Sequence, residues 1–282
     1  MKRLFYIGIA GVTLFEVLNV YFIMPMPGSQ RMNSLDLAYF LNTYRWYFRI
    51  FFGLLIAVGA FHTFQTSKYK WIPAIVLLLP IVAIYFFNFE MSADAMFKEP
   101  ENLSLKPKSG NLMKDSTMVI GVEYNGEVKA YPIRFIVYHH QVRDTVGGKP
   151  MMITYCSVCR TGRVFEPVVK GKPENFRLVG MDHFNAMFED VTTKSWWRQV
   201  NGEAVTGPLK GETLPEVESI QVRLDKLFEL YPYSKVMQLD PNIKEMYDTL
   251  GKFERGKSKG KLTRTDSLSW KDKSWVVGVE IA

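Results

Sequence analysis

Three apolar runs crowd the first ninety residues, and they limit what this chain can fold into more than any other feature. Leu4 to Met24, Trp46 to Phe64 and Trp71 to Phe89 are almost free of charge, and each has about the 17–25 residues that cross a bilayer as a helix. The reading is a transmembrane region of three helices over residues 1–90. A removed signal peptide fits less well, because Met24-Pro25-Met26-Pro27 does not look like a small-residue cleavage site and two more spans follow.

Flanking charge gives the orientation. Lys2 and Arg3 precede the first span, Lys68 and Lys70 fill the loop before the third, and Glu90, Asp94, Glu99 and Glu101 follow it. By the positive-inside rule the N-terminus lies inside and everything after the third span outside. Arg31, Arg45 and Arg49 fall on the outer side and weigh against this. Tyr39, Tyr44, Trp46, Tyr47 and Trp71 fit an interfacial aromatic belt. Polar residues inside the spans are few: Glu16 and Asn19, one turn apart in the first, and His62 near the end of the second. Such groups are functional candidates, but no chain of them crosses the membrane, so a polar contact between helices is at least as good a reading.

Residues 91–115 are polar and Pro-containing and read as a linker. From 116 to 282 the pattern is that of a β-rich domain. Asn125-Gly126 between alternating runs is a hairpin signal, and a short helix is expected after Pro132, with His139 beside its apolar face. Gly147-Gly148 marks a second tight turn, followed by a strand that delivers Cys156. Turns at Gly171, Asn201-Gly202, Gly207-Pro208 and Gly211 separate further short strands. Leu224, Leu227, Phe228 and Tyr231 mark a helix ended by Pro232. The stretch from Gly251 to Lys261 is expected to be a mobile loop. DSTMVIGVE (Asp115 to Glu123) is echoed as DKSWVVGVE (Asp272 to Glu280). If that echo is a repeat, the chain ends inside a unit.

Both cysteines lie in one stretch, MMITYCSVCRTGRVF, where a strand should run into Cys156-Ser157-Val158-Cys159 and a second strand should leave after Thr161-Gly162. The net charge of +7 is spread over membrane flanks and a Lys-rich tail. No helix-turn-helix or base-stacking motif accompanies it, so nucleic acid is not read as a partner and the bilayer is.

GVEYNGEVKAYPIRF, YHHQVRDTVGGKP, ITYCSVC and SWWRQVNGEAVTGPLKGETL, in that order, resemble the bacterial family of domain of unknown function 3179. The resemblance covers roughly Thr117 to Asp240. The family pattern holds at Gly121, Glu123, Tyr131, Pro132, His139, Asp144, Tyr155, Cys156, Cys159, Asp190 and Trp197, among others. It departs at His140, where relatives carry an acidic residue, at Ser157-Val158 in place of Pro-Leu, and at Arg160 in place of Gly. The resemblance fixes domain identity and brings no settled activity.

Three chemistries suit the thiol pair. In the first, Cys156 and Cys159 with His139, and His140, His183 or Asp144 as further donors, hold a soft metal, Zn(II) or Cu(I); a closed zinc site wants four ligands, so an open site is implied. In the second, the same cysteines carry out thiol–disulfide exchange outside the cytoplasm. In the third they close a static disulfide in a non-catalytic assembly module held by its helices, with a membrane-protein partner. No nucleophile elbow, phosphate loop or trusted carboxylate pair is present, so no enzyme class is assigned. Glu123, Asp144, Asp182 and Asp190 taken singly read as solvated or turn-capping. Trp196 and Trp197, adjacent on a strand, should face opposite sides, with at most one in the core. The expectation is an α+β protein with three N-terminal membrane helices and an extracytoplasmic β-rich domain at a bacterial inner membrane.

Overall fold

A computed structural model describes residues 1–243, 245, 247 and 250. The second copy of the strand echo and the stretch from Gly251 to Lys261 lie outside the described residues. The apolar runs form α1 (Lys2–Tyr21), α3 (Arg45–Thr66) and α4 (Trp71–Tyr85), the last continued by a π-helical turn over Phe86–Glu90. These three are long and apolar enough to cross a membrane. A further helix that the sequence reading did not mark, α2 (Leu35–Thr43), lies between the first two.

Helix α1 packs between the others, while α3 buries only 11% of its most apolar window and leaves the rest exposed. Close approach of α1 to α3 depends on small residues: a Cβ at Gly59 would stand 2.5 Å from the Phe5 nitrogen. The polar residues of the spans meet each other. Arg49 donates from Nε to Glu16 Oε1 (2.6 Å) and from Nη2 to Oε2 (3.0 Å), and the Asn88 amide donates to the same Oε2 (3.1 Å). Glu16 is thus a contact between helices, a fully buried carboxylate paired with a cation. Across the bundle, Lys2 Nζ reaches the Thr66 carbonyl, which puts the start of α1 beside the end of α3.

After the bundle, the stretch read as a linker supplies α5 (Ala93–Met96) and β1 (Leu105–Pro107). The chain then runs through β2 (Met118–Tyr124), β3 (Glu127–Pro132), α6 (Ile133–His139), β4 (Gln141–Val146), β5 (Lys149–Cys156) and β6 (Thr161–Phe165). It continues as β7 (Val168–Val169), β8 (Lys172–Pro173), β9 (Phe176–Asp182), β10 (Asn185–Asp190), β11 (Trp196–Arg198) and β12 (Ala204–Thr206). The last described elements are β13 (Glu216–Val217), β14 (Ser219–Arg223), α7 (Leu224–Leu230) and β15 (Lys235–Met237). Local signals account for much of this. Asn125 and Gly126 both take the positive φ that a two-residue hairpin needs, as do Gly147 and Gly148. Pro132 stands at the N-cap of α6, one place before the expected position.

Three sheets of four or five strands result, beside a two-stranded ribbon of β7 and β8. One has the order β1-β15-β3-β2-β14, with β15 parallel to β3; the second is β13-β6-β5-β4; the third is β12-β11-β10-β9. The third sheet carries both tryptophans, and both are buried, against the expectation for adjacent strand residues. A register shift between Trp196 and Trp197 breaks the alternation, and both faces are covered: Tyr39 of α2 meets Trp196 edge-on at 5.1 Å, and Phe176 meets Trp197 at 6.1 Å.

Tyr39 is one of several contacts that seat the domain on the helical segment. Met181 donates its backbone N–H to the Ile23 carbonyl at 2.7 Å, so the chain leaving α1 pairs with β9. Gly180 permits this approach: its φ is +157° and a Cβ would meet the Ile23 oxygen at 2.3 Å. Val20, Ile23, Met24 and Ala38 share one apolar cluster with Cys156, Met187 and Trp196. The thiol pair therefore lies where the first helix hairpin meets the β-domain.

Candidate thiol site

Strand β5 ends at Cys156, four turn residues follow, and β6 starts at Thr161. This is the strand, knuckle and strand that the sequence implies. Cys156 is fully buried and Cys159 half-buried, and neither is in a disulfide. The turn aims the Cys159 backbone N–H at Cys156 Sγ (3.5 Å), and the Phe184 carbonyl faces both sulfurs, at 3.5 Å from Cys156 and 3.7 Å from Cys159. That carbonyl comes from the β9–β10 turn, where His183 and Phe184 both have positive φ.

Electrostatically the two sulfurs differ. The Cys156 thiol is pulled down to about 6, first by the hydrogen bond from the Cys159 thiol and then by backbone N–H groups of Cys159, Ala186 and Val158, against the opposing effect of burial. Cys159 takes a hydrogen bond from the Asn185 amide (3.4 Å). That amide is locked: its oxygen accepts from the Val200 N–H, and its nitrogen also donates to Gln199 Oε1. Gln199 in turn donates to Thr154 Oγ1 and the Thr161 carbonyl, each at 3.0 Å. A buried amide relay therefore joins β5, β10 and the chain after β11 at the sulfurs. Nothing local in the sequence sets Asn185 or Gln199 apart, and the reading missed both. It also missed Gln30, whose Oε1 accepts the Phe184 N–H from the loop after α1 (3.1 Å).

Arg160, the residue after the pair, has φ +56°, a conformation that costs a non-Gly residue roughly 1–2 kcal/mol. That explains why glycine suits this position, and the chain keeps arginine with a gain nearby. Burial pushes the Tyr155 phenol up to about 12, opposed by the Arg160 guanidinium that hydrogen-bonds it. Arg160→Gly is accordingly expected to leave the melting temperature in detergent nearly unchanged, relief of strain offsetting the lost contact. Arg160→Val should cost about 1–2 kcal/mol. Equal damage from both would show that backbone strain is not what the position responds to.

The histidines read as metal ligands are placed elsewhere. His139 at the end of α6 bonds through Nδ1 to the Lys98 carbonyl and through Nε2 to the Tyr247 hydroxyl (2.5 Å), and burial lowers its pKa. His140 is buried beside Phe97, and burial drops its pKa to about 4, so it stays neutral. His183 is half exposed and bonds Asp182 Oδ1 at 2.7 Å, while Asp182 also binds Arg198. Asp144 accepts from Lys129 Nζ (3.0 Å) and the Tyr131 hydroxyl (2.7 Å). Among the described residues, no three His, Cys, Asp or Glu side chains come together as a metal cluster. The expected set of Cys156, Cys159 and His139 is therefore not assembled: tertiary contacts from Lys98 and Tyr247 hold the His139 ring by both nitrogens.

A family model described as a protein of unknown function (DUF3179) matches residues 96–282, starting inside the stretch read as a linker. No curated protein and no solved structure matches the chain.

Proposed function

Because the chain belongs to the DUF3179 family, whose description carries no activity, we propose its function from the thiol site: a membrane-anchored thiol–disulfide exchange protein that oxidises thiols outside the cytoplasm. The observation that supports this is the asymmetry of the pair, a buried Cys156 whose thiolate is stabilised and a more accessible Cys159. In the disulfide form an incoming thiolate attacks Cys159 Sγ, and Cys156 leaves as a thiolate already provided with hydrogen-bond donors. A leaving sulfur of low pKa departs faster, and stabilising the reduced form makes the pair a better oxidant. A second substrate thiol then attacks the substrate sulfur of the mixed disulfide and releases Cys159. Two substrate thiols become one disulfide, and the Cys156–Cys159 bond is reduced by the two electrons. Their two protons are shared between the reduced pair and solvent.

Placement outside a bacterial inner membrane rests on the flanking charges. Lys2, Arg3, Lys68 and Lys70 stand at the end opposite the β-domain. The metal reading keeps its two sulfurs but lacks His139, and this proposal makes no use of it.

The test is the reduction potential of the pair as a function of pH, on the full chain in detergent, with bound metal measured on the same sample. Below pH 6 reduction takes up two protons, and the slope should be about −59 mV per pH unit; above it one proton, about −30 mV. At neutral pH the pair should be more oxidising than one with ordinary thiols. The linked stabilisation of the reduced fold is complete only above the ordinary thiol value of 9.0 and is lost as pH falls through about 6. A single slope of −59 mV up to pH 8, or stoichiometric zinc or copper that blocks oxidation, would sink the proposal.

A further inference from the structure

A second site lies at the outer ends of the three apolar helices. A cavity of 160 Å³ opens between the end of α1, the start of α3, the π-helical turn after α4 and strand β9. It is lined by Asn19, Asn42, Arg45, Asn88, Asp94 and Arg177, with apolar side chains of α1 and β9 between them.

Charges around it are matched with one exception. Arg49 is held by Glu16. Arg177 is held by Glu189 (2.8 Å) and Asp94 (3.2 Å). Arg45 donates only to Asn42, to its carbonyl at 2.6 Å and its Oδ1 at 3.0 Å, and no carboxylate lies within ion-pair distance of it among the described residues. Asn19 supplies the second observation. It is 95% buried (5% exposed), it lines the cavity, and its Oδ1 has no hydrogen-bond partner. A buried acceptor without a donor, lining the same cavity as a guanidinium with no ion-pair carboxylate among the described residues, describes a ligand with both.

We propose that this cavity binds a phospholipid headgroup, its phosphate against Arg45 and an ammonium or hydroxyl donor of the headgroup against Asn19 Oδ1. The helix ends that form the cavity would stand at headgroup depth in a bilayer, which favours lipid over a free anion. The proposal rests on the three helices crossing the membrane and is independent of the thiol chemistry.

The experiment is native mass spectrometry of the delipidated full chain in detergent. Phosphatidylethanolamine, phosphatidylglycerol and phosphatidylcholine with identical acyl chains are added separately, and inorganic phosphate is added in a fourth arm. Ethanolamine and glycerol headgroups carry a donor, whereas choline has none. Retention of the first two should exceed that of the third by about tenfold, the difference one net hydrogen bond makes. Arg45→Gln should lower retention of all three lipids. Asn19→Leu should keep phosphate-dependent binding but reduce the donor preference to about one. Lys68→Gln, at the other membrane face, should change nothing. Thermal melting of each variant shows whether the fold survives, and the lipid ratio within one variant is read independently of its stability. Equal retention of phosphatidylcholine by the unaltered chain would overturn the proposal. So would competition by millimolar inorganic phosphate with no lipid preference, which would mark a free-phosphate site.

Discussion

Asp190→Ala is expected to destabilise the β-domain by about 3–5 kcal/mol, read as a shift in the denaturant or thermal midpoint of the full chain in detergent. Asp190 ends β10, is fully buried, and accepts hydrogen bonds from several groups at once. Its carboxylate takes the Thr193 N–H, the Thr193 hydroxyl (2.6 Å), the Ser195 N–H (3.1 Å) and the Trp197 indole N–H (2.9 Å). Those donors form the turn from β10 into β11 and fix the ring that covers one face of the third sheet. Removing the carboxylate leaves buried donors without acceptors, each costing about 1–3 kcal/mol. Asp190→Asn should lie between, because half of the amide presents a donor to donors. The loss should also reach the thiols, since β10 begins at Asn185, the residue that bonds Cys159. An alanine variant that melts within about 1 kcal/mol of the parent would show that water replaces the carboxylate and that the turn is held otherwise.

What was legible in the sequence was what short-range rules decide. Asn125-Gly126, Gly147-Gly148 and the strand ends around the thiols read correctly because a two-residue turn needs positive φ and only a few residue types tolerate it. The apolar runs read correctly because length and composition alone set a membrane-compatible helix. Reading failed where a side chain's fate depends on distant partners. His139 looked available beside the cysteines, yet its ring is held by Lys98 and Tyr247, 41 and 108 residues away. Trp196 and Trp197 obey the two-residue period only if the strand is regular and one face is open; a bulge and the docked Tyr39 remove both conditions. Asn185, Gln199 and Gln30 gain their importance from meeting at the sulfurs, and an amide residue carries no local mark of that. Arg160 shows the intermediate case: its backbone angle would suit a glycine, and the arginine is held by a phenol five residues back.

Serine at the two cysteines should give opposite results, and this contrast tests the chemistry most severely. Cys159 is the half-exposed sulfur, so it should be the one that joins a substrate; Cys156, with no exposed surface, should act only within the pair. In Cys156→Ser the accessible thiol remains, but no neighbour can resolve it. Treated with glutathione disulfide, this variant should accumulate a stable mixed disulfide, one glutathione per chain by mass. In Cys159→Ser the remaining thiol is enclosed by the Phe184 carbonyl and the apolar cluster of Met187 and Trp196. Its modification should be slower by about a hundredfold or more, since exchange requires access to the sulfur as well as a thiolate. Both variants should lose catalysed oxidation of a dithiol peptide completely, because neither can form the internal bond that accepts two electrons. Melting temperatures near the parent's would separate lost chemistry from lost fold. If Cys159→Ser instead took up glutathione and Cys156→Ser did not, the roles would be reversed, and a buried sulfur would have to become accessible by movement of the first-helix hairpin. If neither reacted, the pair would be a folded-in staple and the exchange proposal would fail.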